Sequence, residues 1–192
     1  MKRGNEFTQP ASAALSRRPG KRAQRGATLL EAIAFLGIAA LVLVGAVALF
    51  SNAFQGARSN QLTEEVTAIE NGVRKVYATG AGLQTNLAGG VSGLASAGVI
   101  PATLTVSPDG AAVTDEWGGP VTVTWDTTHT AAEITFENVP ESVCIAAVTA
   151  GGDWSGISTA NTTTFAAPPL PAATATTACK GTANTINWEF NS

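Results

Sequence analysis

The sequence predicts an α+β fold in which one long N-terminal helix packs, by its second half, on an antiparallel β-sheet. Two observations predict it: helical periodicity continues over residues 27–79, and three later segments alternate apolar and polar residues as strands do. A helix of that length spans about 80 Å at about 1.5 Å per residue. Because no compact domain of 192 residues can bury such a helix, we expect its apolar first half to protrude from the domain.

Charge is divided unevenly along the chain. Hydrophobic residues make up 45% of the sequence and charged residues only 13%, with a net charge of -3, so charge-driven disorder is not expected. Residues 1–26 carry seven basic side chains and one acidic one, whereas the remainder carries four basic and thirteen acidic ones. The leader is therefore +6 and the body -9. An acidic body is a poor match for nucleic acid, and we expect no nucleic-acid partner.

Residues 32–50 form a run without charge or proline that is long enough to span a bilayer as a helix. The basic stretch before it keeps the N-terminus in the cytoplasm and sends the acidic body outward. An alternative is a cleaved secretory signal, cut after Ala48 in the small-residue sequence Ala46-Val47-Ala48. Two features disfavour it: Glu31 places a costly carboxylate at the start of the run, and helical patterning continues beyond it.

The second half of the long helix is amphipathic. Its apolar residues recur at spacings of three and four, and another apolar residue lies two turns before the first of them. Together they form a single stripe: Phe54, Leu62, Val66, Ile69, Val73 and Val76. Between them, Glu70 and Arg74 stand at positions i and i+4, the spacing of a helical ion pair. Gly80 and Gly82 then end the helix. We expect this half to bury one face.

The remaining sequence predicts strands and two short helices. Three segments alternate apolar and polar side chains and are predicted to be antiparallel strands: residues 121–126, 134–137 and 186–190. The first two are joined by a turn-like segment and form a hairpin with one buried face. The short helices are predicted over residues 91–100 and 140–150. Pro168, Pro169 and Pro171 predict an exposed, irregular segment before the last strand.

The segment Arg25-Gly26-Ala27-Thr28-Leu29-Leu30-Glu31, with the apolar helix after it, resembles the processing and assembly signature of type IV pilins. The resemblance implies that a prepilin peptidase cuts between Gly26 and Ala27 and that the new amine of Ala27 is methylated. It also implies that Glu31, the fifth residue of the cut chain, takes part in subunit assembly. The basic residues, the glycine, the glutamate at this offset and the uncharged run occur together, which makes the match specific.

A physical reason for the pattern can be given for Glu31. A carboxylate in an apolar environment needs a cation, and cutting after Gly26 creates one in the freed amine of Ala27. Each chain then carries both charges, so pairing between staggered neighbours would set the axial register of a fibre. The alternative is that Glu31 only extends to the lipid headgroups.

Several features resemble the type IVb branch, in particular the toxin-coregulated and conjugative thin-pilus pilins. The 26-residue leader is long, the cut chain does not begin with Phe, and the helix lacks the early proline that is typical of type IVa pilins. The sequence Trp117-Gly118-Gly119 leading into a strand also resembles this branch, with the tryptophan expected to fill the core and glycine to allow a close approach.

Cys144 and Cys179 are the two cysteines of the chain. In an exported protein they permit one disulfide, with two free thiols as the alternative. The resemblance to pilins implies that they pair and close the C-terminal region. Closing a loop of about 36 residues would stabilise the domain by about 4 kcal/mol in the chain-entropy treatment.

Few residues suit catalysis or metal binding. His129 is the single histidine, which excludes sites with two imidazoles and the H-E-x-x-H motif. It lies in a Thr-rich turn near Asp126, where a loop role is a simpler interpretation than a Ser-His-Asp triad. Four acids could supply oxygens to Ca²⁺, but their spacing matches no ordered loop: Asp109, Asp115, Glu116 and Asp153. We therefore expect no enzymatic activity, no metal and no cofactor.

Together these features predict the precursor of a type IVb pilus subunit, with a cleaved leader over residues 1–26, a transmembrane and polymerisation helix over 27–54 and a globular head over 55–192. We expect an inner-membrane precursor that becomes an extracellular homopolymer for adhesion, aggregation or conjugation. Its partners would be a prepilin peptidase and methyltransferase and the pilus assembly machinery of the inner membrane. The alternatives are a minor pilin or type II secretion pseudopilin, and an exported enzyme or binding module with an N-terminal signal or anchor.

Overall fold

The computed structural model of the protein describes residues 28–77, 87, 90–127 and 130–191. The chain divides into two compact units between Val44 and Gly45. Several predictions concern residues outside the described ranges: the leader, the cleavage position at Gly26 and Ala27, the helix-ending Gly80 and Gly82, and the turn residue His129.

Helix α1 covers Leu29–Val76, in agreement with the predicted long helix. Part of it is long and apolar enough to cross a membrane, judged by length and composition. In the first unit its large apolar side chains are exposed: Leu29, Leu30, Ile33, Phe35, Leu36, Ile38, Leu41, Val42, Leu43 and Val44. Exposed apolar side chains at every angle around a helix are typical of a helix that is surrounded by lipid or other helices.

In the second unit α1 buries one stripe in the core. Its fully buried side chains are Leu62, Val66, Ile69 and Val73. The prediction was wrong at the two ends of the stripe, since Phe54 is 64% exposed and Val76 is 44% exposed. Phe54 lies about two turns before Leu62, so spacing continued the stripe beyond the part of the helix that the domain covers. Val76 is the last residue of the helix.

Three short helices and seven strands follow α1 in the described residues. The helices are α2 (Val91–Ser96), α3 (Glu141–Ala150) and α4 (Ala172–Ala178). Two short strands, β1 (Thr105–Val106) and β2 (Val113–Thr114), form a small antiparallel pair. The main strands are β3 (Val121–Asp126), β4 (Ala131–Val139), β5 (Gly156–Thr159), β6 (Thr162–Ala166) and β7 (Asn184–Phe190).

The main sheet has the strand order β3-β4-β7-β5-β6, and all its pairings are antiparallel. Its core-facing side chains alternate along the strands, and the register aligns them: Val121 with Phe136, Ile134 with Trp188, and Phe136 with Ile186. The rings of Phe136 and Trp188 pack edge to face, with centroids 5.8 Å apart. This face and the buried stripe of α1 form one hydrophobic core.

The predicted fold class is confirmed: a long N-terminal helix packs on an antiparallel sheet, and a disulfide closes the C-terminal region. The three predicted strands correspond to β3, β4 and β7. The sequence interpretation missed β5, β6 and α4, because segments rich in Ala, Thr and Ser lack the apolar alternation that indicates a strand. The prolines do stand in an irregular connection, between β6 and α4, but Leu170 within it is buried.

Candidate functional site

The start of α1 is a capped helix end. The Thr28 hydroxyl accepts a hydrogen bond from the backbone N–H of Glu31, with 3.3 Å between the two atoms. The sequence Thr-x-x-Glu at this position is that of a capping box, in which the hydroxyl satisfies one of the free N–H groups of the first turn. The carboxylate of Glu31 also lies where the helix dipole favours negative charge. Thr28 and Glu31 therefore define where the helix begins.

Glu31 stands at the beginning of an extended apolar surface on α1. In the first unit Leu29 and Leu41 are 80% and 76% exposed, and in the second unit Val47, Leu49 and Phe50 are also exposed. Burying a side chain of this size contributes roughly 1.5–3 kcal/mol. A surface of this kind favours a lipid or protein environment over water, and it carries a single carboxylate.

The last turns of α1 are joined to the sheet by a charged contact. Arg74 forms an ion pair with Glu70 one turn earlier, with 2.8 Å between Nη2 and Oε1. The Glu70 side chain is only 9% exposed, so the pair is better shielded from water than a surface pair. The Arg74 guanidinium also lies over the ring of Phe190 in β7, 5.2 Å from its centroid. Glu70 and Arg74, predicted as a pair, therefore connect the helix to the sheet.

The side chain of Asp115 holds the loop between β2 and β3 in shape by hydrogen bonds. Oδ1 of Asp115 accepts hydrogen bonds from the backbone N–H groups of Trp117 and Gly119, at 2.9 and 2.7 Å. Asp115 is 6% exposed, and its Oδ2 is buried with no hydrogen-bond partner in the described part of the chain. Burial raises the pKa of Asp115, and the carboxylates of Glu65 and Glu116 raise it further, while the two N–H donors lower it.

The same loop contains the predicted close approach of a glycine. A Cβ on Gly119 would overlap the carbonyl group of Glu137 in β4, so only glycine fits there. Gly118 has a positive φ of 74°, which glycine adopts without strain. Trp117 packs on the edge of the core but is only partly buried, so the prediction that it fills the core was too strong.

The C-terminal region is closed by the disulfide between Cys144 in α3 and Cys179 after α4, across a sequence separation of 35 residues. Both cysteines are fully buried. The carbonyl of Ala178, next to Cys179, accepts hydrogen bonds from Thr159 Oγ1 and Asn161 Nδ2, each at 2.9 Å. The end of α4 is therefore held both covalently and by the turn that joins β5 to β6.

A comparison with protein-family profiles matches residues 56–191 to the family described as PilS N terminal. This match covers more than half of the chain and nearly all of the second unit. The chain belongs to the PilS N-terminal family. It is a type IV pilin-like protein, which confirms the resemblance at the level of the pilins. The same comparisons find no match among curated proteins or solved structures.

On this PilS-family chain the predicted site residues are distributed as follows. Glu31 lies in the first turn of α1, at the start of the apolar surface, and the cysteines form the expected disulfide. Gly26 and Ala27 lie outside the described residues. The four acids considered for Ca²⁺ are dispersed: within the described ranges, no three His, Cys, Asp or Glu side chains stand together as metal ligands.

Two structural features of this PilS-family chain were missed by sequence reasoning. One is the role of Asp115, whose carboxylate organises the loop before β3; the pattern Asp-x-Trp-Gly-Gly, with glycines shortly after an aspartate, is the signal that could have found it. The other is the burial of Glu65, which accepts a hydrogen bond from Gln61 at 2.9 Å on α1. Helical spacing is the signal that could have found it, since Glu65 lies three residues after Leu62 and four before Ile69.

Proposed function

We propose that this chain is the precursor of a structural subunit of a type IVb pilus and that it polymerises through α1. The observation that carries the proposal is the exposed apolar surface of α1 with one carboxylate, Glu31, in the first turn. Membership of the PilS N-terminal family supports the pilin class. The long leader, the absence of an early helix proline and the Trp-Gly-Gly sequence support the type IVb branch.

Processing would supply the charge that Glu31 needs. Hydrolysis of the peptide bond between Gly26 and Ala27 removes the +6 leader and frees the amine of Ala27, which a methyltransferase would then methylate. The amine keeps its positive charge after a single methylation. In the fibre, the Ala27 amine of one subunit would neutralise the Glu31 carboxylate of the next, because an unpaired charge among apolar helices is costly.

Neutralisation at one position gives the fibre its register. The apolar side chains of α1 are interchangeable in chemistry, so packing alone would let neighbouring helices slide by a turn with little change in buried area. When each pair of neighbours forms one charge pair, any different register leaves two buried charges unpaired. The Thr28 hydroxyl, which accepts a hydrogen bond from Glu31 N, fixes the helix start from which the carboxylate is displayed.

The proposed partners and location follow from this route. The precursor would be held in the bacterial inner membrane by the apolar half of α1, meet the prepilin peptidase and the assembly machinery there, and become extracellular on polymerisation. The second unit carries four basic and twelve acidic side chains, a surface unsuited to nucleic acid. The role is structural, and we propose no enzymatic activity.

The processing step is tested by the N-terminal residue and mass of the protein purified from cells that carry a matching assembly system. We expect a chain that begins at Ala27, with or without a methyl group. A chain that begins at Leu49 would show cleavage by a signal peptidase after Ala48 and overturn the proposal, leaving an exported domain of another class.

The assembly step is tested with Glu31→Gln, which removes the charge and keeps the shape. We expect normal export and cleavage but few or no filaments in sheared fractions and electron micrographs. Glu64→Gln is the matched control, because it makes the same change at an exposed position of α1. If Glu31→Gln assembled as well as the unsubstituted protein, the register mechanism would be wrong.

A further inference from the structure

A groove runs between α1 and the loop that follows α3, over residues 151–154. Its volume of about 400 Å³ is that of a small-molecule site. One wall is the polar side of α1, where Arg74 lies over Phe190 of β7. Beside the other wall, Ser155 donates its backbone N–H to the Glu189 carbonyl of β7, at 2.8 Å. Both walls are therefore attached to the same strand, and the groove is formed before any ligand arrives.

Trp154 brings a hydrogen-bond donor to this groove. The residue is only 8% exposed, and its indole N–H makes no hydrogen bond within the described residues. The edge of the ring that carries this N–H faces Gly152, where an added Cβ would overlap Nε1. Glycine at that position therefore leaves the N–H uncovered, and both residues line the groove. Because a largely buried indole N–H usually has an acceptor, this one indicates a ligand that supplies it.

Other groups of the groove also have hydrogen-bonding capacity that the domain does not use. Arg74 binds Glu70 Oε1 through Nε and Nη2, each at 2.8 Å, which leaves Nη1 as a donor. Asn71 and Asp153 line the groove and make no hydrogen bond within the described part of the chain. The Thr67 hydroxyl donates to a carbonyl of its own helix, so its oxygen can still accept. Donors and acceptors therefore stand side by side.

This mixture favours an uncharged ligand. An anion is disfavoured because Glu70 and Asp153 line the groove and because the second unit has a net charge of -8, from four basic and twelve acidic side chains. A cation offers no acceptor to the N–H groups of Trp154 and Arg74. Peptides are bound at strand edges or through apolar pockets, whereas these walls are a helix and a loop with polar side chains. Sugar hydroxyls both donate and accept, as the groove requires.

We propose that the groove binds a neutral oligosaccharide, with the Trp154 N–H and Arg74 Nη1 as donors and Asp153 and Asn71 as acceptors. A second depression, of about 530 Å³, shares Asn71 with it and continues along α1 to Asn60. From Asn60 to Arg74 the helix is about 21 Å long at about 1.5 Å per residue, which suits a chain of several sugars rather than one. The site lies in the second unit and does not depend on polymerisation.

The indole N–H resonances of the full chain report binding directly. The chain has four tryptophans, so their N–H signals can be resolved in proton–nitrogen correlation spectra, and Trp154→Phe identifies the signal of Trp154. The micelles must be of a detergent without a sugar head group, such as lauryldimethylamine oxide. The probes are neutral oligosaccharides built from glucose, galactose, mannose or N-acetylglucosamine, each added up to about 20 mM, which detects millimolar dissociation constants.

We expect at least one of these probes to shift the Trp154 signal saturably while the signal of the buried Trp188 stays in place. Sodium sulfate and an uncharged peptide of Gly, Ser and Asn, at the same concentrations, should leave both signals unchanged. No saturable shift with any of the oligosaccharides, or a shift with sulfate or the peptide instead, would overturn the inference.

Substitutions locate the site. Asn71→Ala removes an exposed amide from the groove, and Gln55→Ala is the matched control, because it removes an exposed amide of α1 that does not line either depression. We expect Asn71→Ala and Trp154→Phe each to weaken binding about fivefold, as the loss of one hydrogen bond does. Gln55→Ala should bind as the unsubstituted protein does. Equal affinities of Asn71→Ala and Gln55→Ala would contradict the proposal, and if Trp154→Phe failed to fold, this comparison would decide.

Discussion

Arg74 in the last turn of α1 lies over the ring of Phe190 in β7, with 5.2 Å between the guanidinium carbon and the ring centroid. The two residues stand far apart in sequence, and their contact fixes the end of the long helix on the sheet. Glu70, one turn earlier on α1, forms an ion pair with the same guanidinium and orients it. The contact therefore depends on two side chains of α1 and one of β7.

We expect Arg74→Met to reduce the free energy of unfolding by about 2 kcal/mol, since it removes the cation over Phe190 and leaves the shielded Glu70 carboxylate without its ion pair. Urea unfolding of the full chain in micelles, followed by tryptophan fluorescence, measures this. The double variant Glu70→Gln with Arg74→Met should recover part of the loss. Lys75→Met is the control: Lys75 is exposed, and its loss should change stability by less than about 0.5 kcal/mol. Equal losses from both single variants would argue against the contact.

Gly119→Ala should be severely destabilising. Its Cβ would overlap the backbone carbonyl of Glu137, and neither backbone can move without breaking the start of the β3–β4 pairing. We expect a loss of about 3 kcal/mol or more. Gly56→Ala on α1 is the matched control, because a Cβ there meets nothing within 4 Å, and alanine is the better helix former by about 1 kcal/mol. A Gly119→Ala protein as stable as Gly56→Ala would refute the close approach.

Asp115 makes the stability of the domain depend on pH. Burial raises its pKa above the ordinary value of 3.8, so the folded state binds the proton more tightly than the unfolded state. Asp115 therefore contributes most to stability at a pH below its pKa in the unfolded chain. This contribution is lost as the pH rises from that value through the raised pKa of Asp115 in the folded protein. Asp115→Asn keeps the oxygen that accepts from Trp117 and Gly119 and removes the charge. We therefore expect the stability of this variant to fall less steeply as the pH rises.

Asp109→Asn is the control for that titration, with the opposite sign. A hydrogen bond from Ser107 and another from the N–H of Ala111 lower the pKa of the exposed Asp109. Its contribution is present above the unfolded pKa and is lost as the pH falls through the lowered folded pKa. Urea midpoints measured between pH 3 and pH 8 distinguish the two. An unchanged slope in Asp115→Asn would show that another group causes the dependence.

The disulfide should be a major part of the stability of the second unit. Replacing both Cys144 and Cys179 by Ala is expected to cost about 4 kcal/mol, because the unfolded chain regains the freedom of the closed loop. Reduction of the unsubstituted protein by dithiothreitol in urea should lower its unfolding midpoint to that of the double variant. The double variant itself should not respond to the reductant. A midpoint that is independent of the cysteines would contradict this expectation.

Local patterns were sufficient for much of the fold. The stripe from Leu62 to Val73 was predictable because helical spacing alone places these residues on one face. The strands around Val123, Ile134 and Trp188 were predictable because apolar alternation is a property of the strand itself. The Glu70–Arg74 pair followed from the i, i+4 geometry of a helix. The failure at Phe54 marks the limit of such patterns, since spacing does not say where the covering domain ends.

The sequence by itself determined the class of protein, the long helix with Glu31 in its first turn, and the strands that carry the core, because each depends on residues close together in the chain. Only the tertiary structure decided the order of the strands and the burial of Asp115. Those features depend on segments that are distant in sequence, and burial is set by what packs against a residue. For the same reason, two segments that are both rich in threonine and alanine became a strand in β6 and a helix in α4.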